Sequence, residues 1–117
     1  MSKHGSKYGR KHGLSAEHLS IIRQILKPYA NAIDSVGLFG SRAQGTYREN
    51  SDIDMVLYGR LREADIDRIY SLFEESFLPV KVDVNAYHLI EYPPLKAHVD
   101  AAISVLFTHE DLRGSGA

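Results

Sequence analysis

The stretch Val36-Gly37-Leu38-Phe39-Gly40-Ser41-Arg42-Ala43-Gln44-Gly45-Thr46-Tyr47-Arg48-Glu49-Asn50-Ser51-Asp52-Ile53-Asp54-Met55-Val56-Leu57-Tyr58 decides the reading of this chain. An apolar run ends in Gly40-Ser41, and ten residues intervene before Asp52-x-Asp54 opens a second apolar run. The pattern predicts a strand over Ser35 to Phe39, a Gly-Ser loop, a short helical turn at Arg42-Ala43-Gln44 closed by Gly45, a polar loop, and a second strand over Asp52 to Tyr58. On that second strand Asp52, Asp54 and Val56 share one face, while Ile53, Met55 and Leu57 share the other. A face that apolar needs helices to cover it.

Each polar element has a chemical use. Gly40 has no Cβ, so the backbone can come close to a ligand. Ser41 offers a hydroxyl, and amides opening a helical turn can point at an anion. Two carboxylates on one face repel unless a cation lies between them. Hard oxygen ligands suit Mg²⁺, which also bridges to phosphate oxygens. A phosphate cradle opposite a metal clamp is what phosphoryl or nucleotidyl transfer requires. A lone Gly-Ser is usually a turn and a lone Asp-x-Asp usually a solvated strand end; it is their spacing between two apolar runs that carries weight.

Working outward, Ser15 can cap a helix from Ala16 to Tyr29, with Leu19, Ile22, Leu26 and Tyr29 on one stripe and Pro28 disturbing its last turn. Downstream, Ile66, Ile69, Tyr70, Phe73 and Phe77 predict a helix from Glu63 to Phe77, stopped by Pro79. Glu63, Asp65 and Asp67 suit its N-terminal dipole. Val80, Val82 and Val84 alternate with Lys81 and Asp83 in a third strand reaching Ala86. Were this strand to lie beside the second, Asp83 would join Asp52 and Asp54. Pro93-Pro94 then opens a final helix in which Leu95, Val99, Ala102, Ile103 and Leu106 recur, ending near Phe107.

Composition limits the alternatives. The 117 residues make one domain, with 44% apolar and 25% charged residues and a formal net charge of −1. That charge gives no global argument for nucleic-acid binding. No cysteine is present, so thiolate metal sites and disulfides are excluded. No apolar run is long enough for a membrane span or a signal peptide, which makes the cytoplasm the expected compartment. Met1 to Gly13, with Lys3, Lys7, Arg10 and Lys11, reads as a flexible basic tail; residues 14–109 as the domain; residues 110–117 as a flexible C-terminus. The six histidines have no metal-ligand spacing, and His18, His88, His98 and His109 read as helix-surface or loop residues. Arg42 reads equally as a phosphate contact or a surface helix residue.

Gly40-Ser41, ten residues, then Asp52-Ile53-Asp54 resembles the signature of polymerase-β-like nucleotidyltransferases. The fuller Gly-Ser-Arg-Ala-x-Gly before Ser-Asp-Ile-Asp resembles their minimal (MNT) branch, from about Leu14 to about His109. The resemblance implies an α/β (α+β) core, a small mixed sheet with helices packed on one face. It implies Asp52, Asp54 and Asp83 as catalytic metal ligands for two Mg²⁺ ions, about 3.5–4 Å apart in sites of this type, with Gly40, Ser41 and Arg42 on the phosphates. Members of the branch are antitoxins paired with HEPN-domain toxins. The implied reaction moves AMP from ATP to a hydroxyl, that of a tyrosine, of that toxin. Two other readings stand beside it: an antitoxin that acts by contact alone, and a small-molecule transferase of the aminoglycoside-modifying kind, which would usually need an extra helical domain.

Overall fold

The computed structural model describes residues 12–101 and 103–114. The chain opens with α1 (Ala16–Leu26), a 3₁₀ segment Lys27–Ala32, β1 (Ile33–Phe39) and a single helical turn α2 (Ser41–Gln44). Next come β2 (Ile53–Gly59), α3 (Glu63–Glu74), β3 (Val82–Ala86), a 3₁₀ turn Tyr87–Leu89, α4 (Pro93–Ala101), β4 (Ser104–Thr108) and α5 (His109–Gly114). Ser15 caps α1 as its sequence predicts: its Oγ accepts from the His18 amide at 3.1 Å, and its own amide donates to His18 Nδ1 at 3.3 Å. Pro28 falls where α1 gives way to the 3₁₀ segment.

The four strands form one mixed sheet in the order β3-β2-β1-β4. β1 pairs antiparallel with β2 and with β4, while β2 pairs parallel with β3 across the α3 crossover. One face carries the main core. Ile53, Met55 and Leu57 of β2 meet Val82 and Val84 of β3, covered by Ile22 and Leu26 of α1 and by Ile69 and Phe73 of α3. The fold is the expected small mixed sheet with helical cover, but the helices lie on both faces rather than on one. On the other face α4 lays Val99 and Leu95 against Phe39 and Val56 in a smaller cluster.

Three expectations are corrected. The final helix does not run to Phe107. It stops at Ala101, and Ser104–Thr108 adds β4 to the open edge of β1. Val105, Phe107 and Thr108 in this stretch favour a pleated, half-buried surface. The helix from Glu63 ends at Glu74, not Phe77, because Ser76 Oγ donates to the Phe73 carbonyl at 2.6 Å and the Leu78 amide donates to Ser76 Oγ at 3.3 Å. Phe77 is thereby 94% exposed. After residue 109 the chain is helical to Gly114, and Leu112 is wholly buried in the main core. Asp111 Oδ2 accepts from the Thr108 amide at 2.9 Å and Thr108 Oγ1 accepts from the Asp111 amide at 3.1 Å, which fixes the turn into this helix. The basic tail read over residues 1–13 lies, up to residue 11, outside the described residues, as do residues 115–117.

Among the described residues no helix is long and apolar enough to cross a membrane. Leu112→Ala should destabilise the domain by about 2–5 kcal/mol in urea unfolding, the cost of deleting a buried leucine side chain. A change below about 0.5 kcal/mol would mean that this segment frays in solution.

Candidate active site

The sheet register builds the site. Phe39 at the end of β1 is paired with Asp54 on β2, and Asp54 is paired with Asp83 on β3. The condition under which Asp83 joins Asp54, that β3 lies beside β2, is therefore met. Asp54 stands mid-row, with the Gly40-Ser41 turn beyond Phe39 on one side and Asp83 on the other. Asp52 precedes the first residue of β2 and is exposed, as is Asp83, whereas Asp54 is half-buried. Strand pairing thus sets Asp54 beside Asp83, and the charges of Asp83 and Asp52 both act on the Asp54 carboxyl.

Gly40 is required by geometry. Its φ is +75°, and a Cβ there would run into the Asp54 carboxylate. The Gly40 carbonyl accepts from the Ala43 and Gln44 amides, both at 3.1 Å, closing α2 as a tight turn. Ser41 is the first residue of that turn. Gly40, Ser41 and Asp54 consequently line one short rim.

The electrostatics follow from crowding. Burial raises the Asp54 carboxyl above the ordinary 3.8, and the neighbouring Asp83 and Asp52 charges push it further in the same direction, while His98 opposes them. His98 belongs to α4 and meets the Phe39 ring edge-on, with ring centroids 5.6 Å apart. It is exposed on the helix surface, as its sequence position predicts, and its contact with the Phe39 ring is what the sequence reading missed. The signal was its position three residues after Leu95, on the side that α4 turns to the sheet. Of the other histidines, His88 Nε2 donates to the Leu61 carbonyl at 2.7 Å and His109 Nδ1 to the Ile33 carbonyl at 2.9 Å, so both tie loops together.

Arg42 is a correction. Its side chain is 3% exposed, and its guanidinium bonds to three backbone carbonyls rather than presenting itself to a phosphate. Nε and Nη2 donate to Ser51 at 3.2 and 3.0 Å, Nη2 also to Glu49 at 3.3 Å, and Nη1 to His12 at 2.9 Å. The charge lies over the Tyr47 ring, 5.0 Å from its centroid. The polar loop over residues 46–51 is held at Glu49 and Ser51 by these bonds.

Among the described residues no three carboxylate or imidazole groups converge at metal-ligand spacing as they stand. The donor set nevertheless fits a hard dication. Mg²⁺ is commonly held by one or two carboxylates together with waters and substrate phosphates. A carboxylate whose ionised form is disfavoured by two like charges is also one that a cation would stabilise.

The sign of the Asp54 shift gives a stability prediction. A raised folded-state pKa means that the ionised form destabilises the fold, at a cost present above that pKa and relieved as pH falls through it. Asp54→Asn should therefore unfold at a higher temperature than the wild type at pH 7. This advantage should shrink as pH is lowered towards 4. Thermal melts at pH 7 and pH 4.5 check both, and an Asp54→Asn protein less stable at pH 7 would contradict the electrostatic picture.

Comparison with known proteins agrees with this geometry. The family model described as polymerase beta, nucleotidyltransferase matches residues 21–111. A Methanocaldococcus jannaschii protein named as a protein adenylyltransferase is 34% identical over 65 residues, which are 56% of this chain and 62% of that protein. The match thus spans less than two thirds of that relative's length. Two solved structures share the fold. One, a toxin–antitoxin with AMP-PNP, superposes with a TM-score of 0.63 at 22% identity, covering 83% of this chain and 82% of its own. The other, a mutant of the toxin–antitoxin MntA–HpeT, gives 0.62 at 22% identity, covering 77% and 73%. With the family model spanning the sheet, the Gly40-Ser41 turn and all three aspartates, the chain belongs to the polymerase beta nucleotidyltransferase family.

Proposed function

We propose that this nucleotidyltransferase acts as an antitoxin of the minimal (MNT) type, moving AMP from ATP to a hydroxyl, most simply a tyrosine, of a HEPN-domain toxin. The observation that carries the reading is the row Gly40–Asp54–Asp83 set by strand pairing, with Asp52 at its entrance. The adenylyltransferase name of the archaeal relative supports the donor chemistry, and the toxin–antitoxin neighbours support the context.

Asp52, Asp54 and Asp83 are the residues that would hold Mg²⁺. When bound, the ion neutralises triphosphate charge and acidifies an acceptor hydroxyl. The chain's own groups do the rest. Gly40 admits a phosphate close to the backbone, and Ser41 supplies a hydroxyl donor at the same rim. Asp83 is exposed at the outer end of the row, where it can take the acceptor proton. The acceptor oxygen attacks the α-phosphate, the bond to the β-phosphate oxygen breaks, and pyrophosphate leaves. The Asp row does not line the cleft of about 380 Å³ near Asn85 and Tyr92 or the cavity of about 600 Å³ beside Tyr47. An open site of this kind suits an acceptor presented on a protein surface. The added AMP would silence an RNase by bulk and negative charge.

Intact mass spectrometry of the protein encoded by the adjacent gene tests the proposal. After incubation with this chain, Mg²⁺ and ATP, that protein should gain one or more adenylates. The gain should fall by more than about a hundredfold in rate with Asp52→Asn/Asp54→Asn, given how heavily such transfers lean on charge stabilisation. No mass gain with any nucleoside triphosphate, together with a tight complex between the two proteins, would overturn transfer in favour of inhibition by contact.

A further inference from the structure

Arg42 joins parts of the chain that are far apart in sequence. Ser51, whose carbonyl takes two of its bonds, immediately precedes Asp52, and Glu49 lies within the same loop. Within the loop the Thr46 amide donates to the Ser41 carbonyl at 3.0 Å, the Ser51 amide to the Arg48 carbonyl at 3.0 Å, and the Arg48 amide to Ser51 Oγ at 2.7 Å. The third carbonyl belongs to His12, thirty positions away in sequence. Burial, and then the adjacent Arg42 charge, hold the His12 imidazole below its ordinary range, and its Nδ1 accepts from the Leu14 amide at 3.1 Å as a neutral ring would. Gly13, with φ +74°, packs where a Cβ would strike the Tyr47 ring and the Arg42 guanidinium, and Leu14 is buried in the core.

We infer that Arg42 is a positioning residue: its planar fork clamps the 46–51 loop between the anchored His12-Gly13-Leu14 segment and the sheet, and so fixes where Asp52 enters the site. The shape of the group matters as much as its charge. Three carbonyls in different directions can be met by a five-donor guanidinium stacked on a ring, whereas an ammonium supplies a point charge on a thinner stem. The clamp itself follows from contacts within the chain. Its consequence for metal and nucleotide rests on the transfer reading above.

The decisive comparison is Arg42→Lys beside Arg42→Gln, with Tyr47→Leu as a milder variant that keeps every carbonyl bond but removes the ring. Amide hydrogen exchange of residues 46–51 is read at a temperature well below unfolding, and Mg²⁺ titrations of ATP binding are read alongside. In both Arg42 variants exchange of the Thr46 and Ser51 amides should quicken by about tenfold or more. The Mg²⁺ midpoint should rise by about 10–100-fold, as for other residues that orient metal ligands. Tyr47→Leu should move both in the same direction by less, which keeps the test open if an Arg42 variant does not fold. Wild-type behaviour of Arg42→Lys alone would show that the charge suffices and overturn the clamp. Unchanged loop exchange in both Arg42 variants would also overturn it. Faster loop exchange in a protein whose wild type binds no triphosphate with Mg²⁺ would uphold the clamp and sink the transfer reading.

Discussion

Strand pairing forces carboxylates together, and the rest of this structure depends on that constraint. The register of β1, β2 and β3 sets Asp54 opposite Asp83 and beside the Gly40 turn, with Asp52 one step before the strand. In the absence of a cation, burial and two like charges act against Asp54 in its ionised form, and His98 offsets them only in part. The opposite face of the same strands supplies the compensation. Ile53, Met55 and Leu57 are wholly buried under α1 and α3, and shifting β2 by one residue to separate the charges would turn those side chains outward. The core therefore holds the site in place.

Much of this was legible in the sequence because period-two alternation is an unambiguous signal. It located β2, assigned Asp54 and the core residues to opposite faces, and set Asp83 on the face of β3 away from its valines, while the adjacency of β3 to β2 came only with the fold. The Ser15 cap and the break at Pro28 were readable for equally local reasons. The C-terminal region was not, because Leu95, Val99, Ala102, Ile103 and Leu106 keep a helical spacing across the junction where α4 ends and β4 begins. The competing sign was the β-branched and aromatic content of Ile103 to Thr108, which prevailed once the edge of β1 was there to be covered. Phe77 fitted the stripe of α3 by spacing, yet the Ser76 hydroxyl ends that helix first.

Arg42 illustrates a different limit. Next to Gly40-Ser41, an arginine suggests a phosphate ligand. What decides its role is where the carbonyls of His12, Glu49 and Ser51 lie, and these meet only in the folded chain. His98 was obscured likewise: its approach to Phe39 and Asp54 depends on α4 lying across the face of the sheet away from the main core. Family membership places the chemistry in nucleotidyl transfer, while the acceptor and the partner follow from proposal and test.

The most direct measurement is calorimetric titration of the protein with a non-hydrolysable ATP analogue, with and without Mg²⁺, for the wild type and Asp54→Asn. One saturable site that requires Mg²⁺ and is lost in Asp54→Asn is the predicted result. Binding that ignores Mg²⁺, or survives the substitution unchanged, would contradict the assignment of the Asp52–Asp54–Asp83 row as the nucleotide–metal site.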